Sequence, residues 1–184
     1  TSNKKIETSD KKIETSDKQK MSNKPETPKI EKDDSYKKKN TDNNLKVCIT
    51  LVPRQTSFGG GNQFVNSLIE YLNKYNIKIV HELEENINLI FIIDPRINSS
   101  NKIDIDSVID YKQKNPGTYI IQRINDCDKP RGNHNVLDPL HLKGFEIAEH
   151  VIFVSNWVYQ YFKNNYNFNQ DYSIINNGCN TQVF

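Results

Sequence analysis

Cysteine and long apolar runs are both scarce in this chain, and each scarcity removes a class of protein. Three cysteines in 184 residues, Cys48, Cys127 and Cys179, are odd in number and far apart. They supply neither a disulfide framework nor a Cys-x-x-Cys metal or redox motif, and they fit reduced thiols in a cytoplasmic protein. His81, His141 and His150 have no metal-ligand spacing with them, so no metal is expected. The longest apolar stretch, residues 87–93, is broken by Asn88 and falls far short of the ~18 residues of a membrane span. The opening residues are polar and lysine-rich rather than signal-like. A basic face is missing as well. Residues 45–184 hold 13 Lys and Arg against 14 acidic residues, whereas 1–44 hold 12 Lys against 9. Nucleic acid is therefore not an expected partner, since phosphate neutralisation dominates that affinity.

What is present divides into two parts. The heptapeptide Lys-Lys-Ile-Glu-Thr-Ser-Asp at 4–10 recurs unchanged at 11–17, followed by more Lys, Ser, Thr and Pro. One apolar residue per repeat cannot build a two-residue coiled-coil seam, so residues 1–44 read as a disordered, low-complexity, Lys-rich tail. Residues 45–184 are long enough for one folded domain.

Within that domain, apolar runs at 46–52, 77–80, 89–93, 119–124, 151–154 and 173–175 predict strands. Helical spacing joins Phe64, Val65, Leu68, Ile69 and Leu72, with Asn62 placed to cap the first turn. Ile105, Val108 and Ile109 predict a second helix, stopped by Asn115-Pro116-Gly117. Asp138-Pro139 offers an N-cap with proline at the first helical position, and Ser155 leads into a helix carrying Trp157, Val158, Tyr161 and Phe162. The aromatic residues of that last helix read as core. Alternation of strand and helix predicts an α/β, Rossmann-like, doubly wound and mainly parallel sheet, with ligands outside the carboxyl ends of the strands. One link is awkward, because the eight residues between the second and third strands are fewer than a parallel crossover normally uses.

Two motifs fall at those carboxyl ends. Gly59-Gly60-Gly61 follows the first strand and opens a helix, so unpaired N–H groups can meet a diphosphate with no Cβ in the way. As a dinucleotide fingerprint the string has Phe64 where the third glycine belongs, which weakens a nicotinamide reading although Glu82 and Glu84 lie at ribose distance. A purely structural turn is the plain alternative. Arg123, Asn125 and Asp126 then end the fourth strand, setting a guanidinium, an amide and a carboxylate where sugar hydroxyls could bind. Asp126 also suits a simple turn. The sequon Asn98-Ser99-Ser100 carries no expectation outside a secretory context.

The order of Phe58-Gly59-Gly60-Gly61-Asn62-Gln63-Phe64, Gln122-Arg123-Ile124-Asn125-Asp126, residues 148–157 and the closing string from Ile174 to Phe184 resembles the N-terminal half of a GT-B retaining glycosyltransferase of family 4. The resemblance spans roughly residues 45–184. It implies an acceptor-side domain of a hexosyltransferase that takes a nucleotide sugar as donor substrate and a glycan or small molecule as acceptor, with no further cofactor. It implies Gly59, Gly60, Gly61 and Asn62 at the donor phosphates, Asp126 as the catalytic carboxylate, and Arg123, Asn125, Arg131 and His134 at the acceptor. Asn125 stands where many relatives have a histidine, and Arg131-Gly132 resembles an Arg-Gly element that follows. In that family a second Rossmann-like domain holds the donor through paired glutamates and a basic pair, neither of which occurs here, so these residues alone are expected to be inactive. Two other readings stay open: a non-catalytic module that binds a glycan or partner, and a nicotinamide-dependent oxidoreductase.

Overall fold

A computed structural model describes residues 45–54, 59–132 and 135–178. The expectation for the tail at 1–44 lies outside them. Six strands form one sheet: β1 (Lys46–Ile49), β2 (Lys78–Val80), β3 (Leu89–Ile92), β4 (Tyr119–Ile124), β5 (His150–Phe153) and β6 (Tyr172–Ile174). Their order is β2-β1-β3-β4-β5-β6 and every pairing is parallel. Four helices connect them: α1 (Gly59–Asn73), α2 (Ile105–Lys114), α3 (Asp138–Phe145) and α4 (Asn156–Asn165). The architecture is the expected Rossmann-like α/β sheet.

Parallel strands covered on both faces read as continuous apolar runs, as β3 does, whereas Gln122 and Arg123 interrupt the run in β4. Val47 and Ile49 face α1, packing with Val65, Phe91 and Ile93 and with partly buried Phe64, Leu68 and Leu72. Cys48, Ile90, Ile92, Ile120, Ile124, Val151 and Phe153 face the opposite layer, where α2 contributes Ile105 and Val108, α3 Phe145, and α4 Val158, Tyr159 and Phe162. The strand order reverses at β1, since β2 lies on one side of it and β3 on the other. Right-handed crossovers running in opposite directions from that point place α1 on one face and the other three helices on the second.

The short link between β2 and β3 is resolved by a crossover that contains a turn but no helix. Residues 81–88 run back along β1 without a helix: His81 Nδ1 bonds the Ile49 carbonyl, the Cys48 thiol donates to the Glu82 carbonyl, Lys46 Nζ reaches the Glu85 carbonyl at 2.6 Å, and Asn88 N donates to the Lys46 carbonyl. Eight residues reach at most roughly 27 Å, about twice the ~13 Å length of a four-residue strand.

Several local expectations need correction. The first strand stops at Ile49 rather than 52 because Thr50 Oγ1 takes the Ile93 N–H and turns the ladder over to a side chain. Asn62 is the fourth residue of α1 and not its cap; its amide accepts from Arg54 N at 2.5 Å and donates to Arg54 O at 2.9 Å. Asp138 is the first residue of α3, with Leu137 at the cap position and no local side-chain bond there. That helix start is satisfied from upstream, as Asp128 accepts the N–H groups of Val136, Leu137 and Asp138. Asp104 and Ser155 cap α2 and α4 in the ordinary way, accepting from Ser107 N and Val158 N.

Candidate functional site

The carboxyl edge of the sheet gathers the segments after β1, β3, β4 and β6. The segments after β1 and β3, which flank the reversal of strand order, are tied to each other. Val52 N donates to Ser100 O at 2.7 Å, Arg54 Nε donates to Ser100 Oγ at 2.7 Å, and Arg54 Nη2 bonds Ser99 Oγ. Asn98 Oδ1 takes the N–H groups of Ser100 and Asn101, so the Asn98-Ser99-Ser100 string serves a turn. Fully buried Asn101 donates to the carbonyls of Asp94 and Arg96.

Asp94 and Arg96, which leave β3 at that edge, form a two-pronged ion pair with Nε and Nη2 at 2.9 and 2.7 Å from the carboxylate oxygens. The Asp94 hydrogen bonds raise the Arg96 pKa most, and the fields of Asp126 and Asp128 add to them. Asp126 follows β4 at the same edge. Its Oδ1 accepts the next residue's N–H at 2.9 Å, which is also how a turn-forming aspartate behaves. Asn125 beside it is exposed.

Arg123 and Gln122, adjacent on β4, point to opposite faces. The Arg123 guanidinium lies on the α1 side, 4.1 Å from the ring centroid of Phe64, and its Nη2 donates to Asn177 Oδ1 at 2.6 Å. Gln122 lies on the α3 side, where its Nε2 donates to His141 Nδ1 at 3.1 Å. Gly144 makes room for it, because a Cβ there would sit 2.4 Å from Gln122 Oε1. Three buried polar atoms of these residues have no hydrogen-bond partner: Gln122 Oε1, His141 Nε2 and Arg123 Nη1.

A second polar network fixes the segment after β4. Asp138 Oδ1 accepts from Asp128 N, and its Oδ2 accepts from Tyr161 and Tyr166 at 2.5 and 2.8 Å. Burial opposes ionisation of Asp128, but the three backbone N–H groups more than offset it, and its carboxyl sits below the usual range. Asp128 and Asp138 thus hold down both ends of the stretch that contains Arg131, which closes the 3-10 turn Lys129–Arg131. His134 and Cys179 lie outside the described residues. The other two cysteines are buried and free, and burial pushes Cys48 up to about 12 and Cys127 to about 11, so neither is a reactive thiolate.

Among the glycines, Gly59 has φ +69° and opens α1 in a conformation side chains seldom adopt. Gly60 and Gly61 have no such constraint, and a Cβ at either would meet nothing within 4 Å. The fold does not require them. Gly60→Ala and Gly61→Ala are each expected to raise stability by a few tenths to about 1 kcal/mol, read as an increased urea midpoint. A decrease would show that the glycines serve the chain itself.

The structure thus gathers Gly59 to Gly61, Arg123 and Asp126 at one edge of the sheet, and it turns the Asn62 amide toward Arg54 instead. Sequence reasoning passed over Asp94, Arg96, Asp128 and Asn177; the first two follow β3 directly, where the strand-end rule points. Among the described residues no group of three or more His, Cys, Asp or Glu side chains could hold a metal, and no helix is long and apolar enough to cross a membrane. No protein-family model, curated protein or solved structure matches the chain.

Proposed function

We propose that this domain is the acceptor-side half of a retaining, GT-B-type glycosyltransferase that uses a nucleotide sugar. The observation that carries the reading is the meeting of α1's glycine-rich start with the β4 terminus, through the 4.1 Å contact of Arg123 with Phe64. An N-terminal helix end with two glycines the fold does not need offers N–H groups to a diphosphate at close range. Asp126 and Arg123 stand along the same edge, where an acceptor hydroxyl would be held.

Transfer depends on fixing donor and acceptor together, an effect worth on the order of 7–11 kcal/mol in well-oriented systems. One Rossmann-like unit supplies half of that geometry. Calorimetry with UDP-glucose, GDP-mannose and the free nucleoside diphosphates should therefore show weak binding without sugar transfer, weakened further in Gly60→Ala and Gly61→Ala although those variants are no less stable. Absence of binding by every nucleotide at millimolar concentration, or binding unaffected by both alanines, would sink the reading. Tight selection of NAD over the nucleotide sugars would favour an oxidoreductase instead, and vigorous transfer by residues 1–184 would overturn the half-site.

A further inference from the structure

Arg123 is only 2% exposed, at the next-to-last position of β4 on a layer otherwise formed by Ile121, Ile152 and the apolar side of α1. A guanidinium buried among apolar side chains normally has a carboxylate partner, because desolvating an unpaired cation is costly. None stands within ion-pair distance of Arg123 among the described residues. Burial lowers its pKa, with no opposing contribution from a neighbouring anion. The Phe64 ring recovers part of the cost as a cation–π contact. Of the two terminal nitrogens, Nη2 donates to the neutral Oδ1 of Asn177, a residue exposed on the chain leaving β6, and Nη1 has no partner. One prong of the fork meets an uncharged oxygen and the other has no hydrogen-bond partner, at the edge of the sheet where ligands of doubly wound folds gather.

We propose that Arg123 receives an oxyanion: two oxygens of a ligand phosphate or carboxylate displace Asn177 and take Nη1 and Nη2 side by side. A planar fork suits that two-pronged contact, and a lysine would not reproduce it. The positive end of α1, one turn from Phe64, favours the same charge. Resting on the glycosyltransferase reading, this defines the acceptor as a sugar or small molecule bearing a negative group.

The test uses the 184-residue chain with glucose 6-phosphate, glucuronate and glucose at matched ionic strength, followed by calorimetry and thermal unfolding. At least one anionic sugar should bind and raise the midpoint while glucose does neither, and the preferred anion tells a phosphate source from a carboxylate. Arg123→Gln should weaken anion binding roughly tenfold or more without lowering the ligand-free midpoint. Asn177→Asp, at an exposed position, provides an internal carboxylate. It should raise the ligand-free midpoint and block the anion to a similar extent, and it decides the matter if the Gln variant does not fold. Equal binding of glucose, no binding of either anion, or anion affinity unchanged in Asn177→Asp overturns the proposal. Arg123-dependent anion binding with no affinity for nucleotide sugars would sink the glycosyltransferase reading alone. Nucleotide-sugar binding with no preference for anionic sugars would sink this inference alone.

Discussion

Truncating Phe153 to alanine should lower the unfolding free energy by about 3–5 kcal/mol, the range for a large aromatic removed from a packed core. Phe153 is fully buried in β5 and its ring lies within 6.4 Å, centroid to centroid, of five other rings: Phe145, Tyr159, Phe162, Phe168 and Tyr172. Most of these contacts are edge-to-face, the arrangement that adds attraction beyond area burial. They join α3, α4 and the edge strand β6 to β5, so the cavity would be lined from several directions and could not collapse by moving one element. Against a typical domain stability of about 5–15 kcal/mol, such a loss leaves the variant close to unfolding. Urea denaturation followed by circular dichroism reads the change. Tyr71→Ala, at a position 54% exposed on α1, should stay within about 0.5 kcal/mol. A Phe153→Ala effect as small as that would show that the aromatic cluster does not hold the β5–β6 end together.

Acidification should cost about 3 kcal/mol between pH 6.5 and pH 4, through His141. The imidazole is 1% exposed beneath α3, edge-on to Phe162, and burial pulls its pKa down to about 4 although Asp94, Asp138 and Asp126 favour the charged form. The unfolded chain takes up this proton near pH 6.5 and the folded chain only near pH 4. Stability therefore falls as pH falls through that interval and levels off below it. Asp128 acts in a separate, lower window: its folded pKa is depressed, so its contribution is complete above the unfolded value near 3.9 and disappears as the pH drops through the folded one. Urea midpoints at pH 7, 6, 5 and 4 should show the first loss in the parent chain, and His141→Phe should flatten it. An unchanged slope in that variant would remove His141 as the cause.

Much of the fold was legible because its signals are local. Six apolar runs, the helical spacing from Phe64 to Leu72 and the Ser155 cap each lie within one short segment, and burial of alternating elements forces the layered sheet. The features that escaped are those made by distant residues. Asp128 caps a helix eight to ten residues downstream, a distance no capping pattern covers. The β2–β3 crossover depends on single contacts of Lys46 and Cys48 with the passing chain, which carry no periodicity. Arg123 was recognisable as a strand-end residue, yet its partner Asn177 is 54 positions away, and nothing in the closing string from Ile174 to Phe184 points back to β4. Gln122 beside it looked unremarkable until the room left by Gly144 and the ring of His141 showed what it meets.

The parallel sheet has a consequence for synthesis. Even its most local pairing joins Val151 to Tyr172, and β1 needs Lys78 on one side and Leu89 on the other. At about 5–20 residues per second, the ribosome takes roughly 2–8 s to progress from Val47 to Leu89. For that time Val47, Cys48 and Ile49 lack at least one of their two neighbouring strands, and the apolar face of α1 that follows has no complete sheet to rest on. Pairing that depends on such distant segments is slow after release as well, in the millisecond-to-second range of non-local topologies. The nascent domain is thus most vulnerable early, and a chaperone that shields the first thirty or so residues of the folded part would have the largest effect on its yield.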